Sequence, residues 1–238
     1  MAISTPERTS GHPASPLPRV AASRLTSDLA MLLVCLIWGL NFSVTKLALA
    51  QIPPLPFTAV RFIISSLLLW LILRIAERGV ASSREGLTTL IVLGLVGNTL
   101  YQLLFTLGLD RTAATNSALI LSTVPTVVAV FAGALGLERI TRRMWWGIVL
   151  GTLGVVLVIA TRGVGFQLGT LVGDLLTVLA VLCWAGYTVG LRKVPSGISP
   201  LRVTTITTIA GTPGLVLAGL PGMIQLDWGA VDLEAWGG

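Results

Sequence analysis

Apolar residues fall into seven runs separated by short polar or Pro- and Gly-containing connections: Leu29–Ala50, Phe57–Ile75, Thr88–Leu109, Ala113–Leu137, Trp145–Thr161, Leu171–Leu191 and Leu201–Leu220. Each has the length a helix needs to cross about 30 Å of hydrocarbon. The pattern predicts an all-α, polytopic membrane helix bundle whose connections are too short to hold an extramembrane domain. Residues 1–27 are rich in Pro, Ser, Ala and Arg without hydrophobic periodicity, so a disordered tail is expected there, and residues 221–238 read as a second short tail. Ala48-Leu49-Ala50 could pass for a signal-peptidase site, but the preceding run is long for a cleavable core and Lys46 interrupts the approach.

The first two runs recur. A shift of 146 residues places Asp28 on Asp174, Trp38 on Trp184, Pro54 on Pro200 and Thr58 on Thr204. Leucine matches are common in an apolar chain, whereas Asp, Trp and Pro are not needed to make a helix greasy, so the chain carries an internal duplication. The offset spans five runs. An odd number of crossings brings the second copy into the membrane from the opposite side, which defines an inverted repeat. Residues 28–161 form the first five-helix repeat and 171–220 part of a second. The third run would recur only from Glu234, so seven of an expected ten helices are present.

Composition agrees with a lipid environment: 54% of residues are hydrophobic and 11% charged, with mean hydropathy +0.89. Charge sets the expected orientation. Of sixteen Lys and Arg, twelve lie on the side of the N-terminus (Arg8, Arg19, Arg24, Arg74, Arg78, Arg84, Arg139, Arg142, Arg143, Arg192, Lys193, Arg202), against Arg111 and Arg162 on the other. That bias predicts a cytoplasmic N-terminus; the membrane expected is a bacterial inner membrane. The net charge of +6 therefore faces an anionic leaflet and calls for no nucleic acid.

Polar residues inside the runs are the candidate substrate contacts. Arg61 sits four residues into the second run, where a charge costs about 2.5–3.5 kcal/mol at the bilayer centre and less near an interface. It is either an anchor that snorkels to headgroups or a cation that pairs with an anionic group at a cavity mouth. Lys46, closer to its helix end, reads as snorkelling. Trp38 and Trp184 are repeat equivalents, as are Asn41 and Tyr187 one turn on. Asn98, Tyr101 and Gln102, spaced i, i+3, i+4, predict one polar stripe on the third helix. With Asn116 and Ser117 they favour a polar lining over scattered interhelical hydrogen bonds, the better reading for any one of them alone. Pro125 frees the Leu121 carbonyl and bends the fourth helix. Gly147, Gly151 and Gly154 form a small-residue stripe expected to pack the fifth helix on the fourth, near Ala132, Gly133 and Gly136.

Catalytic chemistry finds few residues. His12 lies in the tail, Asp110, Glu138 and Asp174 sit at segment ends, and Cys35 and Cys183 have no metal-ligand spacing. No enzyme activity, cofactor or metal is expected.

Trp38-Gly39-Leu40-Asn41-Phe42, Pro54, Arg61-Phe62, Ala113 to Ala118, Pro125, Gly136-Leu137-Glu138 and the glycines of the fifth run together resemble the EamA domain of the drug/metabolite transporter superfamily. The resemblance covers residues 28–160 and the start of a second domain. It implies two inverted five-helix halves around a central cavity, and export or exchange of small metabolites, often amino acids, by alternating access. The partners expected are a small-molecule substrate and the lipid bilayer, with a homodimer or complementing helices completing the assembly. A non-transporting half-carrier or scaffold is the alternative, and a membrane enzyme ranks last.

Overall fold

The computed structural model describes residues 24–78, 86–138, 141–162 and 170–227. The histidine and most of the N-terminal tail lie outside them, as do residues 228–238. Nine α-helices are described: α1 (Arg24–Ala48), α2 (Pro54–Ala76), α3 (Leu87–Gly94), α4 (Tyr101–Arg111), α5 (Ala114–Leu121), α6 (Val124–Ala134), α7 (Arg142–Arg162), α8 (Leu171–Gly190) and α9 (Pro200–Gln225). All seven predicted runs are helical. Several helix ends extend past the apolar runs: α1 starts at Arg24, α2 at Pro54 and α7 at Arg142, and α9 runs to Gln225. Six stretches of the described residues are long and apolar enough to cross a membrane: Thr26–Ala48, Pro54–Ala76, Leu87–Arg111, Ala114–Ala134, Leu171–Lys193 and Pro200–Gln225.

The chain divides into two units, Met1–Leu40 and Asn41–Gly238. The described part of the first is the exposed helical stretch of α1 up to Leu40. Everything below concerns the second unit unless stated.

Helix starts follow local chemistry. Both α2 and α9 begin on proline, Pro54 and Pro200, whose fixed φ suits the first helical turn and whose missing N–H costs nothing there. Ser199 caps α9 by accepting from the Arg202 amide at 3.1 Å. α6 stops at Gly136, with φ of 66°, where the Leu137 amide returns to the Ala132 carbonyl at 2.9 Å.

α2 and α9 run antiparallel. At one end, a Cβ on Gly219 would lie 2.7 Å from the Leu55 carbonyl oxygen and 2.9 Å from the Ala59 Cβ. At the other, Arg202 pairs with Glu77 at 2.6 Å, and the Ser199 hydroxyl donates to the same carboxylate. α8 lies against α4 with similar closeness, Gly108 and Gly173 leaving no room for side chains between the two backbones. α5 and α6 also pack on α8.

Four expectations change here. The fourth run is broken rather than bent: α5 ends at Leu121 and α6 restarts one residue before Pro125. Ser122 and Thr123 donate their hydroxyls to the Leu119 and Ile120 carbonyls, both at 2.6 Å, which satisfies groups the break frees. The third run is interrupted by a π-helical turn, Leu95–Leu100. The glycine stripe of α7 does not face α6: Ala132 is buried where α6 meets α8, and no described atom lies within 4 Å of a Cβ built on Gly147, Gly151 or Gly154. Finally, Lys46 does not simply snorkel. Its ammonium donates to the carbonyls of Leu109 (2.6 Å), Asp110 (3.0 Å) and Thr112 (3.0 Å), closing the C-terminal end of α4.

Candidate functional site

Arg61 and Thr58 are three residues apart on α2 and share a face. Thr58 meets α4, its hydroxyl 3.0 Å from that of Thr106, to which the Gln102 amide donates at 3.3 Å. Arg61 therefore also addresses α4. Its guanidinium lies 5.6 Å from the Phe57 ring centroid and 5.9 Å from that of Phe62, within cation–π range. Among the described residues it has no ion-pair partner: the two ion pairs are Arg192–Glu138 and Arg202–Glu77, both at 2.6 Å.

A ladder of rings continues from Tyr101. Its ring stacks on Phe105 at 5.9 Å and lies 4.8 Å from Trp184 of α8, which is 5.2 Å from Tyr187. Phe42 meets Phe105 edge-on at 5.8 Å. The π-helical turn makes room for the far end of the ladder. The Tyr187 ring sits against Gly97, where any Cβ would enter the ring, and its hydroxyl is 3.5 Å from that of Thr207. Thr207 is the repeat equivalent of Arg61.

Arg61, Tyr101, Gln102, Trp184 and Tyr187 thus come together across α2, α4 and α8. The predicted stripe on the third run is split, because the wider π turn points Asn98 at α9, with its Cβ 2.5 Å from a Cβ built on Gly211. Asn116 lies elsewhere, near the joint of α4 and α5, donating to Thr112 at 3.3 Å and to Asp174 at 3.5 Å. Asn41 is half-buried on α1. Trp38 belongs to the first unit and is 51% exposed.

Sequence reasoning missed Phe42, Thr58, Thr106 and Phe105 as members of the cluster. A signal existed for Thr58, which matches Thr204 in the repeat; Phe105 looks like any apolar position. Asp174 was read as a segment-end residue, yet it is 3% exposed and accepts the Thr112 hydroxyl at 2.7 Å.

The EamA-like transporter family matches residues 25–160, more than half of the chain. The chain belongs to the EamA-like transporter family. It is 31% identical over 205 residues to the uncharacterized transporter YyaM of Bacillus subtilis, a match that covers 84% of this chain and 66% of YyaM. YetK of the same organism, also an uncharacterized transporter, is 30% identical over 73% of this chain and 53% of its own. The uncharacterized transporter sll0355 of Synechocystis is 28% identical over 90% of this chain and 69% of its own. This EamA-like chain thus spans about half to two thirds of the lengths of YyaM and YetK. No solved structure matches it.

Proposed function

We propose that this EamA-like transporter carries a small metabolite across the bilayer by alternating access, with the cluster of Arg61, Tyr101, Gln102, Trp184 and Tyr187 contacting the solute. The observation that carries this reading is the cluster itself: a cation, an amide and three aromatic rings drawn from three helices of different repeats. Such groups are costly in lipid and are retained at solute pathways. Amino acids are the first solutes to try, on the family resemblance, and export is the direction it suggests. The charge bias supports a cytoplasmic N-terminus.

The test is flux of radiolabelled amino acids through proteoliposomes holding the chain, beside Tyr101→Ala and Trp184→Ala. Saturable flux that both substitutions abolish with folding intact is expected. Saturable flux that neither changes would move the pathway away from this cluster, and no flux from a folded chain would favour the half-carrier alternative.

A further inference from the structure

Arg61 differs from the other half-buried cations among the described residues. Lys46 is committed to three carbonyls at the end of α4, and Arg202 is paired with a carboxylate. Arg61 has two aromatic faces against it and no hydrogen-bond acceptor among the described residues. Phe57 and Phe62 hold the guanidinium without using its N–H groups, which remain as a planar fork matched to a carboxylate. The nearby polar groups do not fill that fork, since Thr58, Thr106 and Gln102 bond to one another. Tyr101, next to Gln102 on α4, makes ring contacts, but its hydroxyl has no hydrogen-bond partner among the described residues. Two unspent donors on facing stretches of α2 and α4 make an anion site.

The second repeat offers no counterpart. Thr207 stands where Arg61 would recur, and its hydroxyl bonds to the Val203 and Thr204 carbonyls at 3.0 and 3.1 Å. The site therefore provides one cation, suited to one negative charge, and the paired Tyr101 and Trp184 rings of α4 and α8 offer a surface for an apolar or aromatic body.

We propose that Arg61, with the Tyr101 hydroxyl, binds the carboxylate of the solute, so that the substrate class is small monocarboxylates with an apolar or aromatic body. This deepens the proposed function and rests on it for the word substrate, though binding itself can be measured without transport. A zwitterion such as an amino acid falls within the class through its carboxylate.

The probe is phenylacetate, compared with its neutral isostere phenylacetamide, titrated calorimetrically into the full chain in lipid nanodiscs. Phenylacetate is expected to bind the unaltered chain at least about ten-fold more tightly than phenylacetamide, as a charge-assisted pair should. Arg61→Met should erase that preference and Arg61→Lys should retain part of it. Equal binding of the two probes, or no phenylacetate binding by a folded chain, overturns the proposal without need of any variant. Flux in proteoliposomes is read separately. A phenylacetate preference without flux leaves the carboxylate site standing and refutes the carrier reading. Flux of phenylacetate that Arg61→Met leaves unchanged does the reverse.

Discussion

The Ser66 and Thr212 hydroxyls lie 2.7 Å apart, and the two residues are separated by 146 positions, the spacing of the internal repeat. A residue that meets its own equivalent lies on the two-fold relation between copies, so the pseudo-symmetry passes between α2 and α9. This accounts for their antiparallel contact and for helix starts at Pro54 and Pro200. A double-mutant cycle of Ser66→Ala and Thr212→Ala, read by unfolding in detergent, should give a coupling of about 0.6 kcal/mol, the average for membrane hydrogen bonds. Strict additivity would mean that the pair contributes nothing.

Gly211 and Gly151 should respond oppositely to the same change. A Cβ on Gly211 would lie 2.5 Å from the Asn98 Cβ and 2.8 Å from the Gly94 carbonyl, whereas nothing described stands near Gly151. Gly211→Val is expected to cost about 1–3 kcal/mol by overpacking, with Gly151→Val near neutral, as measured by thermal unfolding of the purified chain.

Among the described residues, Asp174 is held by hydroxyl and amide donors: Thr112 at 2.7 Å, Asn116 at 3.5 Å and Thr170 at 3.5 Å. Asp174→Leu leaves the buried Thr112 hydroxyl without its acceptor and should destabilise by about 1–3 kcal/mol. Asp174→Asn keeps an acceptor oxygen and should cost less. If the two variants unfold together, the hydrogen bonds are not what Asp174 contributes.

Glu77 joins the end of α2 to the start of α9 through Arg202 and Ser199. Both charged side chains are 15% exposed. Glu77→Gln should cost about 1.5–3 kcal/mol, the range for hydrogen bonds to charged groups. Adding Arg202→Gln should then cost much less than it does alone. Independent effects would show that the pair is a surface contact screened by water.

The helices were legible because crossing hydrocarbon demands long apolar runs whatever the tertiary packing. Pro54 and Pro200 marked two helix starts, and the Asp, Trp and Pro matches revealed the repeat. Tyr101, Gln102, Trp184 and Tyr187 stood out for the same reason, as polar or amphipathic side chains in greasy helices. What could not be read was which face meets protein. A stripe such as Gly147, Gly151, Gly154 looks like Gly94, Gly97 until the neighbour is known, and lipid and protein are equally apolar to a side chain. Asn98 left the predicted stripe because an i→i+5 turn changes helical phase, a deviation without a residue signature here. The depth of Asp174 depended on α4 and α5 covering the start of α8, which nothing local to Asp174 encodes.

The ammonium of Lys46 holds the last carbonyls of one helix from the end of another, and this has a mechanical consequence. Three short bonds from a single atom behave as a pivot: the end of α4 can swivel about the tip of α1 but cannot slide past it without losing all three at once. Any rearrangement that tilts α4, and Tyr101 with it, must swing about that point. The aromatic ladder would travel farther than the helix end, as the free arm of a lever does.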